Sequence, residues 1–347
     1  MTPMVDSENK PLKILFFCGE RSPWGIAHLG PLLSHSQLKI VCVIFATDQR
    51  WCQFYRALTG KTPAKPNLIT QIKNAIKFLL GRSISNLQTA QKQLIEKNIP
   101  YFVCQDVNSL QALTHFKTYE ADQILSAAYP QIFKQALLDL CPSGAVNSHP
   151  SLLPRCQGAH PVFWAIASGE TISGGTIHYM TTELDQGDIV AQVQVPIEII
   201  DTYSELYTKL IQAVPDLIDQ FAHFMFMPSH QPTPQDLSQA TYFRNDREIH
   251  HRIFWSEMTS NQIYNLVRAC AGRAFCWVNQ MRIEVTHVNI FDANRNMTNN
   301  VTVLPGTIVD IVEQKPIIAA KKGFICLEEI KGPRFKRLFF EIGQVLR

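Results

Sequence analysis

The sequence predicts an α/β fold in which a doubly wound parallel sheet is followed by a smaller β-rich domain. Two observations support this prediction. Short apolar runs alternate with helical segments along the first half of the chain, which is typical of parallel strands joined by helices. After a segment rich in Pro, Ser and Gln, the pattern changes to short strands separated by Gly and Asn turns.

The apolar runs of the first half are interpreted as buried strands. The run over 13–19 ends in Gly, and the run over 38–45 is rich in β-branched residues. Further strands are predicted over 101–104, 121–127 and 144–147. Helices are predicted over 25–34, over 86–98 and near 131–140. Because ligands of such sheets bind beyond the carboxyl ends of the strands, we expect a site near the end of the fifth strand.

The chain is predicted to divide into a first domain over 12–227, a linker over 228–240 and a β-rich domain over 241–347. In the last domain, one helix is predicted over 260–271. The strands are predicted over 278–280, 282–285, 306–311, 316–320 and 323–328. Short strands at this spacing indicate a partly open, OB-like barrel.

Composition excludes several classes of protein. Hydrophobic residues make up 46% of the chain, and no apolar run approaches the ~18 residues that span a bilayer. The polar N-terminus shows no secretory signal, and the nine Cys lack paired spacing. We therefore expect a cytoplasmic protein with reduced thiols, no metal site and no membrane partner. The net charge of +3 neither requires nor excludes a nucleic-acid partner.

A basic segment between residues 48 and 85 interrupts the alternation of strands and helices. It has no acidic residue after Asp48, and a helix is predicted near 68–80. Its basic residues are Arg50, Arg56, Lys61, Lys65, Lys73, Lys77 and Arg82. This segment is either a contact surface for an anionic acceptor or a solvated surface helix.

Three polar residues of different chemistry are candidates for a catalytic site. Asn147 and His149 lie at the end of the fifth predicted strand, and alternation places them on one face. Asp185 precedes Gly187, which permits a tight turn that can direct the carboxylate inward. An amide donor, an imidazole and a carboxylate suit acyl transfer, where an oxyanion is stabilised and a proton is removed.

Each candidate also has a structural interpretation. Asn147 alone is compatible with a turn at a strand end, and Asp185 alone with a solvated Asx turn. His149 favours a functional role because it shares a strand face with Asn147. The loop over 151–154 either forms the wall of a pocket or is an ordinary connection.

The order of these residues resembles the folate-dependent formyltransferases. The stretch Asn147-Ser148-His149-Pro150-Ser151-Leu152-Leu153-Pro154-Arg155 carries the resemblance, together with Gly158, Gly174-Gly175-Thr176-Ile177-His178 and Leu184-Asp185-Gln186-Gly187-Asp188. The family includes glycinamide ribonucleotide transformylase, methionyl-tRNA formyltransferase and the amino-sugar N-formyltransferases. The resemblance covers about residues 12–225 and is weaker beyond.

The resemblance implies a Rossmann-like catalytic domain that uses N10-formyltetrahydrofolate as formyl donor. It implies that Asn147 and His149 stabilise the tetrahedral oxyanion and that Asp185 receives the amine proton. It also implies a set of residues that line the folate pocket. This set is Ser126, Ala127, Ala128, Tyr129, Leu153, Pro154, Gly158, Thr182, Leu184 and Gly187.

The identity of the amine acceptor stays open because the chain departs from the family pattern. Cys156 and Gln157 replace a basic or Tyr-Arg pair, and His160 replaces a smaller residue. Between residues 205 and 347 there are 16 Lys or Arg and 14 Asp or Glu, a difference of +2. This weak basic bias favours an anionic amino-sugar nucleotide over initiator Met-tRNA, whereas the basic segment favours tRNA.

Two further alternatives remain. The same three residue types can hydrolyse formyltetrahydrofolate when water is the nucleophile, and a non-catalytic folate or nucleotide sensor would retain the fold alone. A homodimer is compatible with the sequence.

Overall fold

The computed structural model of the chain describes residues 10–19, 22–46, 86–227, 229–244, 247–292, 303–331 and 340–347. The helix predicted over 68–80 and the basic residues between 50 and 82 lie outside this part of the chain.

Strands and helices alternate through the first half of the described chain, and strands dominate its end. The strands are β1 (Leu12–Cys18), β2 (Leu38–Ala46), β3 (Tyr101–Cys104), β4 (Gln123–Ala127), β5 (Ala145–His149), β6 (Gln157–Gly158), β7 (Ile172–Tyr179), β8 (Ile189–Pro196), β9 (Tyr242–Phe243), β10 (Ala274–Val278), β11 (Met281–Phe291), β12 (Ile308–Val312), β13 (Lys315–Ala319) and β14 (Phe324–Lys331). The helices are α1 (Pro23–Ala27), α2 (Leu29–Ser34), α3 (Asn86–Glu96), α4 (Leu110–Lys117), α5 (Gln135–Leu138), α6 (Pro161–Ala167), α7 (Tyr203–Gln212), α8 (Val214–Phe226) and α9 (Ser260–Ala269).

A seven-stranded sheet in the order β3-β2-β1-β4-β5-β7-β8 forms the centre of the first half. The pairs from β3 through β5 are parallel, as the sequence predicts. Strand β7 joins β5 in the antiparallel sense, so the sheet is mixed. The predicted α/β class is confirmed. The antiparallel pairing brings a polar strand, β7, next to the end of β5.

Burial explains why β1, β2 and β4 read as apolar runs. All five residues of β4 are buried, and β1 exposes little beyond Lys13, because helices cover both faces of a parallel sheet. On one face, Phe17 packs edge-on against Phe116 and Phe133 in a continuous apolar cluster. These contacts fix β1 and β4, and β4 in turn sets the position of β5.

Two predicted helices differ in the structure. The helix predicted over 25–34 is divided into α1 and α2 around His28, because Pro31 has no N–H to donate to the preceding turn. The helix predicted near 131–140 is limited to Gln135–Leu138. Its expected start is held in a loop, where Gln131 accepts from the Val107 amide and Asn108 donates to the Ile132 carbonyl.

The later part of the chain forms a five-stranded antiparallel sheet in the order β10-β11-β14-β13-β12. Helices α6 and α9 pack together, and α9 also contacts β11 and β14. The predicted β-rich domain is confirmed, but the strand predicted over 278–280 is wrong. Asn279 and Gln280 both have positive φ and form the tight turn between β10 and β11.

Contacts divide the chain into two interleaved units. The first contains Met1–Gly158, Gly174–Val195 and Lys209–Arg244, and the second contains Ala159–Ser173, Pro196–Thr208 and Asn245–Arg347. This division differs from the sequence-based bounds, which remain a prediction. The residues expected to form a linker over 228–240 belong to the first unit, because Thr233 forms an antiparallel bridge with Ile189 there.

Among the described helices, none combines the length and the apolar content needed to cross a bilayer.

Candidate active site

Three strands place polar side chains in one row across the sheet. Ser126 on β4, Asn147 on β5 and His178 on β7 are register partners, so their side chains point to the same face. His149 lies two residues further along β5, on the same face as Asn147, and pairs with Thr176. The sheet therefore brings Asn147, His149 and His178 together at the carboxyl end of β5.

The imidazole of His149 is oriented by a main-chain carbonyl. His149 is 6% exposed, and its Nε2 lies 3.0 Å from the Cys156 carbonyl oxygen. Because a carbonyl only accepts, Nε2 carries a hydrogen and donates it. In the neutral ring, Nδ1 is then unprotonated, and it lies 3.7 Å from Oδ1 of Asp185. The nitrogen that faces the carboxylate is thus the one able to exchange a proton.

Asp185 completes the group from a tight turn between β7 and β8. Its φ of 57° lies in the left-handed region, and Oδ2 accepts a hydrogen bond of 2.8 Å from the Gly158 amide. Oδ1 lies 3.5 Å from Nε2 of His178. Burial of the carboxyl opposes its ionisation, but His149, His178 and the Gly158 amide outweigh burial and hold the pKa of Asp185 well below its usual range.

His178 is a site residue to which the sequence analysis assigned no role. Its Nδ1 donates to the Tyr179 carbonyl at 2.9 Å, which leaves Nε2 facing the site. Nε2 lies 3.4 Å from the Asn147 amide nitrogen, which can donate to it when the ring is neutral. The register of His178 with Asn147 comes from the antiparallel pairing of β7 with β5, which the sequence alone did not indicate.

The loop after β5 is fixed by hydrogen bonds to β7 and β8. Thr176 Oγ1 donates to the Ser151 carbonyl and accepts from the Leu153 amide, at 2.7 and 3.2 Å. Gln192 donates to the Leu153 carbonyl at 2.9 Å, and the Leu153–Pro154 peptide is cis. The main chain of Leu153 is therefore engaged within the protein, so a folate contact at Leu153 would need its side chain.

Two glycines of the expected folate set have structural reasons to be glycine. A Cβ on Gly187 would lie 2.0 Å from the Tyr179 carbonyl oxygen. Gly158 has a φ of 90°, and a Cβ there would lie 2.2 Å from the Phe243 carbonyl oxygen. Both positions allow the turn of Asp185 and the loop after β5 to approach neighbouring backbone closely.

The rest of the expected folate set is spread around the end of β4 and the turn of Asp185. Ser126 and Ala127 are buried, whereas Ala128, Thr182 and Leu184 are exposed. Pro154 and Tyr129 are half-buried, and the Tyr129 ring packs edge-on against Phe17 at 5.4 Å. The Tyr129 ring is thus part of the core.

None of the three residues that depart from the family pattern is shown to face the amine acceptor. The side chains of Cys156 and Gln157 are both 2% exposed, so neither presents its side chain to an incoming amine. Gln157 instead donates to Gln235 Oε1 at 3.3 Å. His160 lies in the second unit, in the left-handed region at the start of α6.

Within the described ranges, no three His, Cys, Asp or Glu side chains converge in a way that could hold a metal ion.

Sequence comparison identifies two family regions in the chain. A formyl transferase model matches residues 12–220, and a model described as the formyl transferase C-terminal domain matches residues 248–339. A methionyl-tRNA formyltransferase of Staphylococcus aureus strain JH1 is 30% identical over 229 residues, which are 66% of this chain and 72% of that protein.

Solved structures share the fold at lower identity. The N-formyltransferase from Helicobacter canadensis, in complex with folinic acid and dTDP-3-aminofucose, gives a TM-score of 0.58 at 19% identity and covers 90% of this chain and 98% of its own. WlaRD, a sugar 3N-formyltransferase crystallised in the presence of dTDP and 5-N-formyl-THF, gives 0.56 at 18% identity, with 94% and 99% covered.

HypX from Aquifex aeolicus gives a TM-score of 0.52 at 15% identity. The match covers 92% of this chain but only 46% of HypX, so the chain spans less than half the length of that protein. Because the first family model covers more than half of the sequence and includes all of β1 through β8, the chain belongs to the formyl transferase family.

Proposed function

We propose that the protein transfers the formyl group of N10-formyltetrahydrofolate to a primary amine. The observation that supports this most directly is the convergence of Asn147, His149, His178 and Asp185 at the carboxyl end of β5. The amide nitrogen of Asn147 lies 3.4 Å from His178, and the Asp185 carboxylate lies 3.5 and 3.7 Å from His178 and His149, so one small region holds oxyanion donors and a proton acceptor.

In the proposed reaction, the amine nitrogen attacks the formyl carbon and the carbonyl oxygen becomes an oxyanion. The Asn147 amide carries two N–H donors, of which His178 can accept only one. The second is available to the oxyanion. Loss of one such donor costs about 3–4 kcal/mol of transition-state stabilisation.

The proton of the attacking amine has two candidate acceptors. The resemblance assigns it to Asp185, but a carboxyl whose pKa is held well below its usual range is a weak base. Nδ1 of His149 lies 3.7 Å from that carboxylate and carries no proton when Nε2 donates to the Cys156 carbonyl, so it has a free lone pair for the proton. We therefore assign the proton to Nδ1, with Asp185 stabilising the imidazolium. Collapse of the intermediate breaks the bond from the formyl carbon to N10, and N10 takes the proton from Nδ1 as tetrahydrofolate leaves.

The donor is proposed to lie between the end of β4 and the turn of Asp185. The residue set fits a flat, polar ring, since the exposed residues Ala128 and Thr182 can supply hydrogen bonds and Leu184, 48% exposed, can supply an apolar face. Ser126, Ala127, Pro154 and Gly158 would border the same space. These assignments follow the family resemblance.

For the acceptor, we propose an amino-sugar nucleotide. The support is the small basic excess of +2 between residues 205 and 347. Two fold neighbours that align with this chain over 98–99% of their own length were crystallised with nucleotide ligands. The Helicobacter canadensis enzyme was crystallised with dTDP-3-aminofucose, and WlaRD with dTDP. A diphosphate acceptor needs a few cations, whereas tRNA needs a broad basic surface.

Initiator Met-tRNA is the second candidate. The curated relatives at 30% identity are methionyl-tRNA formyltransferases, and the segment between residues 48 and 85 is basic. The salt dependence of activity on each acceptor distinguishes the two candidates. Activity on tRNA should fall steeply between low and physiological salt, and activity on a nucleotide sugar should change much less.

Purified protein, formyltetrahydrofolate and a panel of amines test the reaction itself. We expect formylated product from the wild type and loss of product in Asn147→Ala and His149→Ala. Matched controls are His287→Ala and Asn289→Ala, which remove an exposed His and Asn two residues apart on β11. Undiminished turnover in the site variants would contradict the proposal, and formate without formylated amine would indicate a hydrolase.

A further inference from the structure

We propose that Gln235 is a positioning residue for the catalytic set and that the segment 233–243 aligns Asp185 with His149. Residues 233–240 of this segment belong to the linker predicted over 228–240, and the rest to the predicted β-rich domain. This inference rests on the proposed function, since it concerns the same site. We call residues 233–243 the clasp segment.

Gln235 holds the turn that carries Asp185. Its Nε2 donates to the carbonyl oxygens of Asp185 and Gly187, at 2.9 and 2.7 Å. A side-chain amide nitrogen has two N–H donors, and both are used on this turn. Because a non-glycine residue in the left-handed region is disfavoured, the turn at Asp185 depends on contacts that hold it there.

Gln235 is itself held in place from two sides. Its Oε1 accepts from Gln157 Nε2 at 3.3 Å. Two residues earlier, Thr233 and Ile189 exchange both main-chain hydrogen bonds, at 2.8 and 2.9 Å. These contacts fix the amide group of Gln235 relative to β8 and to the loop after β5, independently of its contacts with the turn.

The other end of the clasp segment reaches His149. Thr241 Oγ1 accepts from the Cys156 amide at 2.8 Å, and its carbonyl accepts from the Gln157 amide at 2.8 Å. Tyr242 and Phe243 then pair with Gln157 and Gly158 as β9 and β6. The carbonyl of Cys156 is the group that orients Nε2 of His149.

One short segment thus contacts the supports of both catalytic groups. It reaches Asp185 through Gln235 and reaches His149 through Thr241 and Cys156. The distance of 3.7 Å between Nδ1 of His149 and Oδ1 of Asp185 depends on these two supports keeping their spacing. Misplacement of a catalytic group by about 1 Å can reduce turnover by about 100-fold.

The test is Gln235→Glu in the full-length protein. This change keeps the shape and Oε1 for Gln157 but removes both N–H donors toward Asp185 and Gly187. We expect kcat to fall by about 10- to 100-fold with the amine KM within about threefold, because the groups are misaligned and not removed. The matched control is Gln135→Glu on α5, which adds the same charge and removes an exposed glutamine that donates to an aspartate, Asp139, outside the clasp segment.

Thr241 provides a conservative pair. Thr241→Val removes the acceptor for the Cys156 amide, and Thr241→Ser keeps it, so kcat should fall in the first variant and be retained in the second. A Gln235→Glu variant that folds with unchanged kcat would overturn the proposal. So would an equal loss of kcat in Gln135→Glu.

A spectroscopic readout separates this inference from the proposed function. Side-chain ¹⁵N shifts of His149 should change in Gln235→Glu while those of His28 stay constant, whether or not formyl transfer is observed. Unchanged His149 shifts would overturn the positioning role. Changed shifts in a protein without any formyl transfer would leave the positioning role standing and contradict the proposed function alone.

Discussion

The two faces of β5 each bury a histidine, and the two histidines differ in their partners. On the rear face, His28 is fully buried, its Nδ1 lies 2.7 Å from the Trp24 carbonyl, and its Nε2 lies 2.7 Å from Ser148 Oγ. Trp24 closes the ring by donating to the Ser148 carbonyl at 2.9 Å. On the site face, His149 gives one nitrogen to a carbonyl and turns the other toward a carboxylate.

The comparison shows that burial alone does not identify a catalytic histidine. His28 has only neutral partners, and burial, opposed by the bond to the Trp24 carbonyl, lowers its pKa to about 4. The ring therefore stays neutral at pH 7 and keeps its single proton on Nδ1. His149 faces a carboxylate that can stabilise an added proton, so the face of β5 that carries charge is the face suited to proton transfer.

The largest expected effect is on turnover, from His149→Ala. Loss of the proton acceptor should reduce kcat/KM by about 10²- to 10⁴-fold, measured as initial rates of formylated product. The free energy of unfolding should also fall, by about 1–3 kcal/mol, because a ring that is only 6% exposed and its hydrogen bond to the Cys156 carbonyl are lost. Rates are therefore compared on the folded fraction, and a folded variant with turnover within a few-fold of the wild type would contradict the assigned role.

For His28→Ala we expect a loss of stability without a comparable loss of turnover. Removal of the ring leaves a cavity and deprives the Trp24 carbonyl and Ser148 Oγ of their partners, at a cost of about 2–4 kcal/mol in the free energy of unfolding. Denaturant titration measures this loss. The folded fraction should keep kcat within a few-fold of the wild type, and a loss as large as in His149→Ala would show that the rear face takes part in the chemistry.

The pH dependence of stability should report His28. In the unfolded chain its pKa returns to about 6.5, so between pH 6.5 and 4 the unfolded state binds a proton that the folded state excludes. The free energy of unfolding should therefore decrease by about 3 kcal/mol as pH falls through this window.

Two variants separate the contributions of His28 and Asp185 to the pH dependence of the free energy of unfolding. Denaturant titrations at several pH values should show this slope absent in His28→Ala. The depressed pKa of Asp185 stabilises the fold above the ordinary carboxyl value of about 3.9, and that contribution is lost as pH falls further, so Asp185→Asn should change only the more acidic part. An unchanged slope in His28→Ala would contradict the neutral, buried state of this ring.

The smallest effect is expected for Ser148→Ala. The hydrogen bond from Trp24 Nε1 to the Ser148 carbonyl is retained. Only the hydroxyl that donates to His28 is lost, which should cost about 1–2 kcal/mol in the free energy of unfolding. The change lies between Asn147 and His149 in sequence but points to the opposite face. Turnover should stay within about twofold, and a larger loss would mean that the two faces of β5 are coupled.

The sequence could predict what depends on local periodicity. Alternation along β5 is sufficient to place Asn147 and His149 on one face, and the apolar runs identify β1, β2 and β4. The role of His178 depends on the antiparallel pairing of β7 with β5, which alternation within one strand does not reveal. Gln235 is 50 residues from Asp185 in sequence. It lies in a segment rich in Pro, Ser and Gln, and that composition predicts only a linker.

Local errors have local causes. The turn at Asn279 and Gln280 lacks the glycine that usually marks such a turn, so the sequence suggests a continuing strand. Pro31 divides a helix whose apolar pattern is continuous. In each case a backbone requirement, and not hydrophobicity, determined the structure.

The interleaved division of the chain limits how this protein can be taken apart. The backbone passes between the two units five times, at residues 158–159, 173–174, 195–196, 208–209 and 244–245. No single cut releases either unit as a continuous polypeptide, and a cut at the end of α8 would remove the segment that contacts the turn carrying Asp185. The two units are therefore poor candidates for exchange between homologous chains.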